Sequence, residues 1–171
     1  GGGADCLYFP NARAEQLNTP QPGRVEIPVG EAGGETVEAL YLLFVTNHAA
    51  SDARPVRLAW KRTKGRAGPA FEPRALGWRE IPENGGGPEC FHLQDWWWRV
   101  PVLRSDHVRP VLLTEDGDPA GYERYLYVVE WPNPAPSKPV RALLIEGMKA
   151  STTACGLVAA TALTTRAQTS G

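Results

Sequence analysis

Val56-Arg57-Leu58-Ala59-Trp60-Lys61 alternates large apolar side chains with charged or small ones. Successive side chains of an extended strand point to opposite faces. Val56, Leu58 and Trp60 are therefore predicted to enter a core, while Arg57, Ala59 and Lys61 face water. Outward from this stretch the pattern changes but stays strand-like. Leu40-Tyr41-Leu42-Leu43-Phe44-Val45 is apolar on both faces and is expected to sit centrally in a sheet, under a covering loop. Its length would also admit a helix, but the β-branched and aromatic flanks favour a strand. Tyr125-Leu126-Tyr127-Val128-Val129 reads in the same way. The 18 glycines and 16 prolines fall throughout the chain and argue against long helices. Strands are predicted near residues 24–29, 36–47, 55–62, 78–81, 91–99, 109–114, 123–131, 139–148 and 156–165. Short strands joined by Gly/Pro turns predict an all-β fold, a two-sheet antiparallel β-sandwich or jelly roll.

The chain has 171 residues, enough for one domain with a substantial core. Residues 1–165 are read as that domain and 166–171 as a C-terminal linker or tail, with Gly1–Ala4 a second linker. The formal net charge is −1 with both signs interspersed, so no basic stripe is present for nucleic acid. No apolar run approaches the roughly 20 residues that span a bilayer as a helix. The segments 64–77, 82–88 and 114–121 are rich in Gly, Pro and charge and read as loops at the sandwich ends. The start, Gly1-Gly2-Gly3-Ala4-Asp5, has neither a signal-peptide pattern nor a methionine, and the sole methionine is Met148. That fits a mature secreted protein or a segment of a longer one, and the segment is the favoured reading. Cys6, Cys90 and Cys155 are too widely spaced for a zinc site. One disulfide with a free thiol and three buried thiols both remain open.

Several cues in order form a recognisable series: Glu38–Phe44, Pro55–Trp60, Asp95-Trp96-Trp97, Tyr125-Leu126-Tyr127, then Trp131-Pro132-Asn133-Pro134-Ala135-Pro136 and Lys138–Leu143. Over roughly residues 24–165 this series resembles the galactose-binding-like β-sandwich accessory domains, related to carbohydrate-binding modules, of large bacterial proteins that act on polysaccharides. Its most specific piece is the Trp131–Pro136 turn leading into an alternating strand. Many relatives carry an Asp-Gly hairpin after the strand corresponding to Pro55–Lys61. Here Thr63-Lys64-Gly65-Arg66-Ala67-Gly68 replaces it, a longer and more basic loop. The resemblance implies a galactose-binding-like jelly roll and a polysaccharide or oligosaccharide partner. It further implies covalently linked catalytic or other domains, and a secreted, periplasmic or cell-surface location. Similar domains also serve as structural spacers.

The most informative local feature is Trp96-Trp97-Trp98. In an extended chain Trp96 and Trp98 point one way and Trp97 the other. An exposed indole offers a flat apolar face to sugar C–H groups and an N–H donor. Asp95, Arg99 and His92 flank the triplet and would fix hydroxyls beside such a platform. These six residues are the candidate ligand site, and the competing reading buries all three indoles in the core. Trp131 and Asn133 are expected to stabilise the proline-rich turn. Trp78, His107 and Tyr122 are weaker loop-edge candidates. No nucleophile elbow, zinc-binding helix or phosphate loop occurs, and His48, His92 and His107 lack metal-ligand spacing. The expectation is therefore a non-enzymatic module with no cofactor. The acidic turn around Glu115, Asp116 and Asp118 could hold a Ca²⁺ ion, but a solvated turn is preferred. Two further functions stand beside sugar binding: interdomain packing without a ligand, and, less favoured, a small polysaccharide-acting enzyme.

Overall fold

The computed structural model describes residues 7–9, 23–29, 36–47, 54–62, 71, 75–76, 93–94, 105–113, 124–148 and 153–165. All regular structure among them is β. The strands are β1 (Leu7–Phe9), β2 (Arg24–Pro28), β3 (Thr36–Asn47), β4 (Val56–Arg62), β5 (Ala75–Leu76), β6 (Leu93–Gln94), β7 (Val108–Leu113), β8 (Arg124–Pro132), β9 (Val140–Gly147) and β10 (Ala154–Thr165). An antiparallel sheet of five strands runs β1-β10-β3-β8-β7, and an antiparallel sheet of three runs β2-β9-β4. The short strands β5 and β6 pair in parallel. The chain changes sheet from β2 to β3, β3 to β4, β8 to β9 and β9 to β10, so one wraps over the other as in a β-sandwich.

The alternation in β4 behaves as its sequence dictates. Val56, Leu58 and Trp60 are wholly buried, and Arg57 is exposed. Across the gap β3 contributes Leu40, Leu42 and Phe44, and β8 contributes Tyr125, Tyr127, Val129 and Trp131. The register pairs Leu40 with Trp131, Leu42 with Val129 and Phe44 with Tyr127, which puts these six on one face. β9 adds Leu143 and Ile145 from the facing sheet, and the two sets form one apolar cluster. The ring of Trp60 lies 4.7 Å from that of Trp131, tilted by 34°, which joins the sheets by direct aromatic contact. A pair of this kind contributes roughly 0.5–1.5 kcal/mol beyond its area burial.

Strict alternation would misplace three segments, and a shift of register corrects each. In β10, Val158 is an extra residue between the pairs Leu157–Phe44 and Ala159–Leu43. Cys155 and Leu157 face the core before it, and after it Ala160 and Ala162 stand opposite Leu42 and Leu40, with Ala162 packed against the core and Ala160 exposed at the sheet's rim. In β3, Glu38 is the extra residue opposite Leu163 and Thr164, so Val37 turns inward and is fully buried. In β9, Arg141 is extra opposite Lys61 and Arg62, which turns Val140 into the core and leaves Arg141 exposed.

Two of the edge strands, β7 and β4, are blunted. On β7 the Ser105 Oγ accepts from the Val108 amide at 3.0 Å, and the Ser105 amide donates to the Val108 carbonyl at 3.0 Å. Two positions on, Pro110 has no amide to offer a further strand. On β4, Phe71 exchanges two backbone hydrogen bonds with Leu58, at 2.7 and 2.8 Å. The segment 64–77 was expected to be a loop at the sandwich end. It instead supplies this bridge along the sheet edge, and β5 beyond it. The physical reason is the apolar Phe71 side chain, whose ring stacks 5.3 Å from Trp131 and draws the backbone alongside β4. Cys155 is buried, while Cys6 and Cys90 lie outside the described residues.

Candidate functional site

The six residues read from sequence as a ligand site, His92, Asp95, Trp96, Trp97, Trp98 and Arg99, lie outside the described residues. So do His48, Trp78, Tyr122 and the acidic turn at Glu115, Asp116 and Asp118. Within that aromatic segment the structure places β6, Leu93–Gln94, between His92 and Asp95 in the chain. A single strand from 91 to 99 was expected, and only these two residues are described as one. β6 runs close to β3, whose two lateral edges are already occupied by β10 and β8. It therefore approaches over a face or an end of the central strand rather than extending the sheet.

The turn after β8 is described in full. Pro132, Pro134, Pro136 and Pro139 lack amide donors, so the carbonyls around them must find partners elsewhere. Asn133 is buried, and its amide and Nδ2 donate to the carbonyls of Glu38 and Val37, each at 2.7 Å. These are the two carbonyls at the β3 register shift. Its Oδ1 accepts from the Ala135 amide at 3.0 Å and from the Arg62 guanidinium at 3.0 Å. Arg62 donates further to the carbonyls of Ala135, at 3.2 Å, and Lys138, at 3.1 Å. Arg62 continues the inward set Val56, Leu58 and Trp60 and so points to the inside of the sandwich end, where these carbonyls sit, with Val140 brought opposite it by the register shift in β9. One side chain from the three-stranded sheet thus ties down the turn that leaves the five-stranded one.

Asn133 stabilises this turn, as the sequence suggested, while Trp131 packs in the core between Trp60 and Phe71. The Trp60 indole nitrogen is buried without a hydrogen-bond partner, a cost that the packing of its ring offsets. Arg62 was not singled out from sequence. Its signal was a cation closing an amphipathic strand in a chain that also carries a donor-poor, proline-rich turn. His107, a loop-edge candidate, is half-buried at the start of β7, where its carbonyl accepts from the Glu130 amide at 2.8 Å.

The outward faces differ. On the five-stranded sheet the outward positions include Tyr41, Leu43 and Val45 of β3, Leu126 and Val128 of β8, and Val111 of β7. Tyr41, Leu43, Val45 and Val128 are half-buried, and Leu126 is only 7% exposed, so this face is covered in part within the chain. On the three-stranded sheet Arg24, Glu146 and Arg57 stand directly opposite one another across β2, β9 and β4. Lys61 Nζ meets Glu26 Oε2 at 2.6 Å, the two reaching across β9. The hydrogen bond from Lys61 holds the Glu26 carboxyl below its ordinary range, and the charges of Lys61, Arg141 and Arg24 add to the effect.

Among the described residues no group of three or more His, Cys, Asp or Glu side chains could hold a metal ion, and no helix is long and apolar enough to cross a membrane. No protein-family model, curated protein or solved structure matches the chain.

Proposed function

We propose that this chain is a non-catalytic carbohydrate-binding accessory module with a galactose-binding-like jelly-roll topology, which tethers a larger secreted protein to a polysaccharide. The observation that carries the reading is the position of β6. The two residues leading directly into Asp95-Trp96-Trp97-Trp98-Arg99 run beside the central strand of the five-stranded sheet. A rigid sheet is a sound support for a stacking platform, because ordered aromatic rings lose little entropy on binding. The pairing of a five-stranded with a three-stranded sheet, and the repeated crossing of the chain between them, supports the jelly-roll topology. Tethering would raise the effective concentration of a linked catalytic domain at its substrate.

Affinity electrophoresis of the chain in gels containing neutral and acidic plant, algal and microbial polysaccharides tests the reading. Retardation by at least one glycan is expected, with Trp96→Ala or Trp98→Ala weakening it roughly tenfold, the worth of one stacked ring. Unretarded migration in every gel sinks it.

The partly covered apolar face of the five-stranded sheet favours a second reading, a packing module that meets a neighbouring domain. Val111 at 40% and Leu163 at 44% exposure are the large apolar side chains still open on that side. Iodide quenching separates the two, since a pure packing module with a closed core shields all of its indoles.

A further inference from the structure

The outer face of the three-stranded sheet has a composition that the core does not require. Arg24, Glu146 and Arg57 form one row across the strands, and Glu26, Leu144 and Ala59 form the next. Pro28, Ala142 and Lys61 form the third. Arg141, extruded by the register shift in β9, is exposed, and its charge reaches Glu26. Four cations thus accompany two carboxylates here, although the whole chain carries a formal net charge of −1. Arg24 and Arg141 have no side-chain hydrogen bond or ion pair among the described residues. Between the charged rows, Leu144 and Ala59 are half-buried and form a low apolar strip.

We infer that this face binds an acidic polysaccharide of the polyuronate type. The inference rests on the carbohydrate-binding reading and adds to it a ligand class and a second surface. Neighbouring strands stand about 4.8 Å apart, so Arg24 and Arg57 flank Glu146 at about 10 Å from each other. Arginine presents a planar fork that matches a carboxylate in two hydrogen bonds. Glu146 and Glu26 serve as acceptors for sugar hydroxyls, and the apolar strip meets the C–H face of a ring. The same two carboxylates argue against nucleic acid, whose backbone places one phosphate per about 1.7 Å of duplex and offers few hydroxyl donors. The basic segment Lys64-Gly65-Arg66 follows β4 after Thr63 in the chain and has the same sign.

The test uses the whole chain in affinity gels containing polygalacturonate, a panel of neutral glycans, or single-stranded DNA, at about 50 and about 200 mM salt. Polygalacturonate is expected to retard the chain, more strongly at the lower salt. Arg24→Gln/Arg57→Gln/Arg141→Gln should weaken this roughly tenfold, since three exposed ionic contacts are lost. Arg109→Gln, which removes an exposed arginine from the other sheet, should leave it unchanged. Circular dichroism confirms that each variant is folded, and Arg24→Gln alone stands in if the triple variant is not. The inference is overturned by absence of retardation in polygalacturonate, by retardation that the triple variant retains, or by tighter binding of DNA than of polyuronate. Binding to neutral glycans alone overturns this inference and leaves the carbohydrate reading standing, whereas silence on every glycan removes both.

Discussion

The two sheets share one core but meet the outside differently. On the five-stranded sheet the outward residues Leu43, Val45, Leu126 and Val128 are apolar, beside Arg109 and Glu130, and Leu126 is buried. On the three-stranded sheet the outward residues Arg24, Arg57, Lys61, Glu26 and Glu146 are ionic, with Leu144 and Ala59 between them. Inward positions answer to a single requirement, the exclusion of water. Outward positions record what each sheet faces, which for one is in part apolar cover and for the other is largely solvent.

The largest effect tests whether the two sheets form one cooperative unit at all. Trp60→Ala removes the ring that joins them and should cost about 3–5 kcal/mol. Urea unfolding followed by fluorescence and by circular dichroism should give coincident transitions. Separate transitions for the two probes would mean that the sheets unfold independently and that the comparison concerns two bodies.

The contrast between the outer faces is sharpened by placing the same charge on each. Leu126→Asp puts a carboxylate where the chain already covers the sheet and should cost about 3 kcal/mol. Leu144→Asp puts one among Arg24, Arg57 and Lys61 and should cost less than about 1 kcal/mol. Equal losses in thermal unfolding would erase the distinction drawn between the faces.

A smaller loss is expected at the sandwich end. Arg62→Met keeps much of the side-chain volume but removes the guanidinium from the carbonyls of Ala135 and Lys138 and from Asn133 Oδ1, leaving Asn133 Oδ1 the Ala135 amide and the Ala135 carbonyl the Lys138 amide. It should cost about 2 kcal/mol, as expected for hydrogen bonds from a charged group. Hydrogen exchange should report the change first at the Ala135 and Lys138 amides.

The smallest effect concerns Glu26. Its carboxyl titrates below the ordinary range when folded, so the unfolded chain takes up a proton before the folded one does. The contribution of the Lys61–Glu26 pair is therefore complete above the usual glutamate pKa of about 4.3 and is lost as the pH falls through the lowered folded value. Glu26→Gln should narrow the stability gap between pH 6 and pH 3 slightly (roughly the span over which carboxylates titrate). An unchanged pH profile would mean that solvent already screens the pair.

Much of this architecture was legible in the chain. The span of β3 coincides with the stretch predicted from its apolar run, and its central place follows from having no polar face. β4, β8 and β9 lie close to their expected limits because each carries a long, clear hydrophobic pattern. β1 went unanticipated because three residues, Leu7–Phe9, are too few to show a period. Phe71 was hidden in a Gly/Pro-rich segment, where one aromatic side chain gives no repeating signal. The candidate ligand residues were chosen by side-chain chemistry alone, from the triplet of indoles. The role of Arg62 was not readable, because its partners lie more than 70 positions away.

By itself the sequence determined the all-β character, the central strand and the inward set Val56, Leu58 and Trp60, since period-two burial is a local property of the chain. Tertiary structure alone decided where that period breaks, at Val158, Glu38 and Arg141, and which long-range partners absorb the breaks. A register shift is set by the fit of two strands brought together from distant parts of the chain. No local pattern encodes it, yet it turns Val140 into the core and sends Arg141 out to the surface.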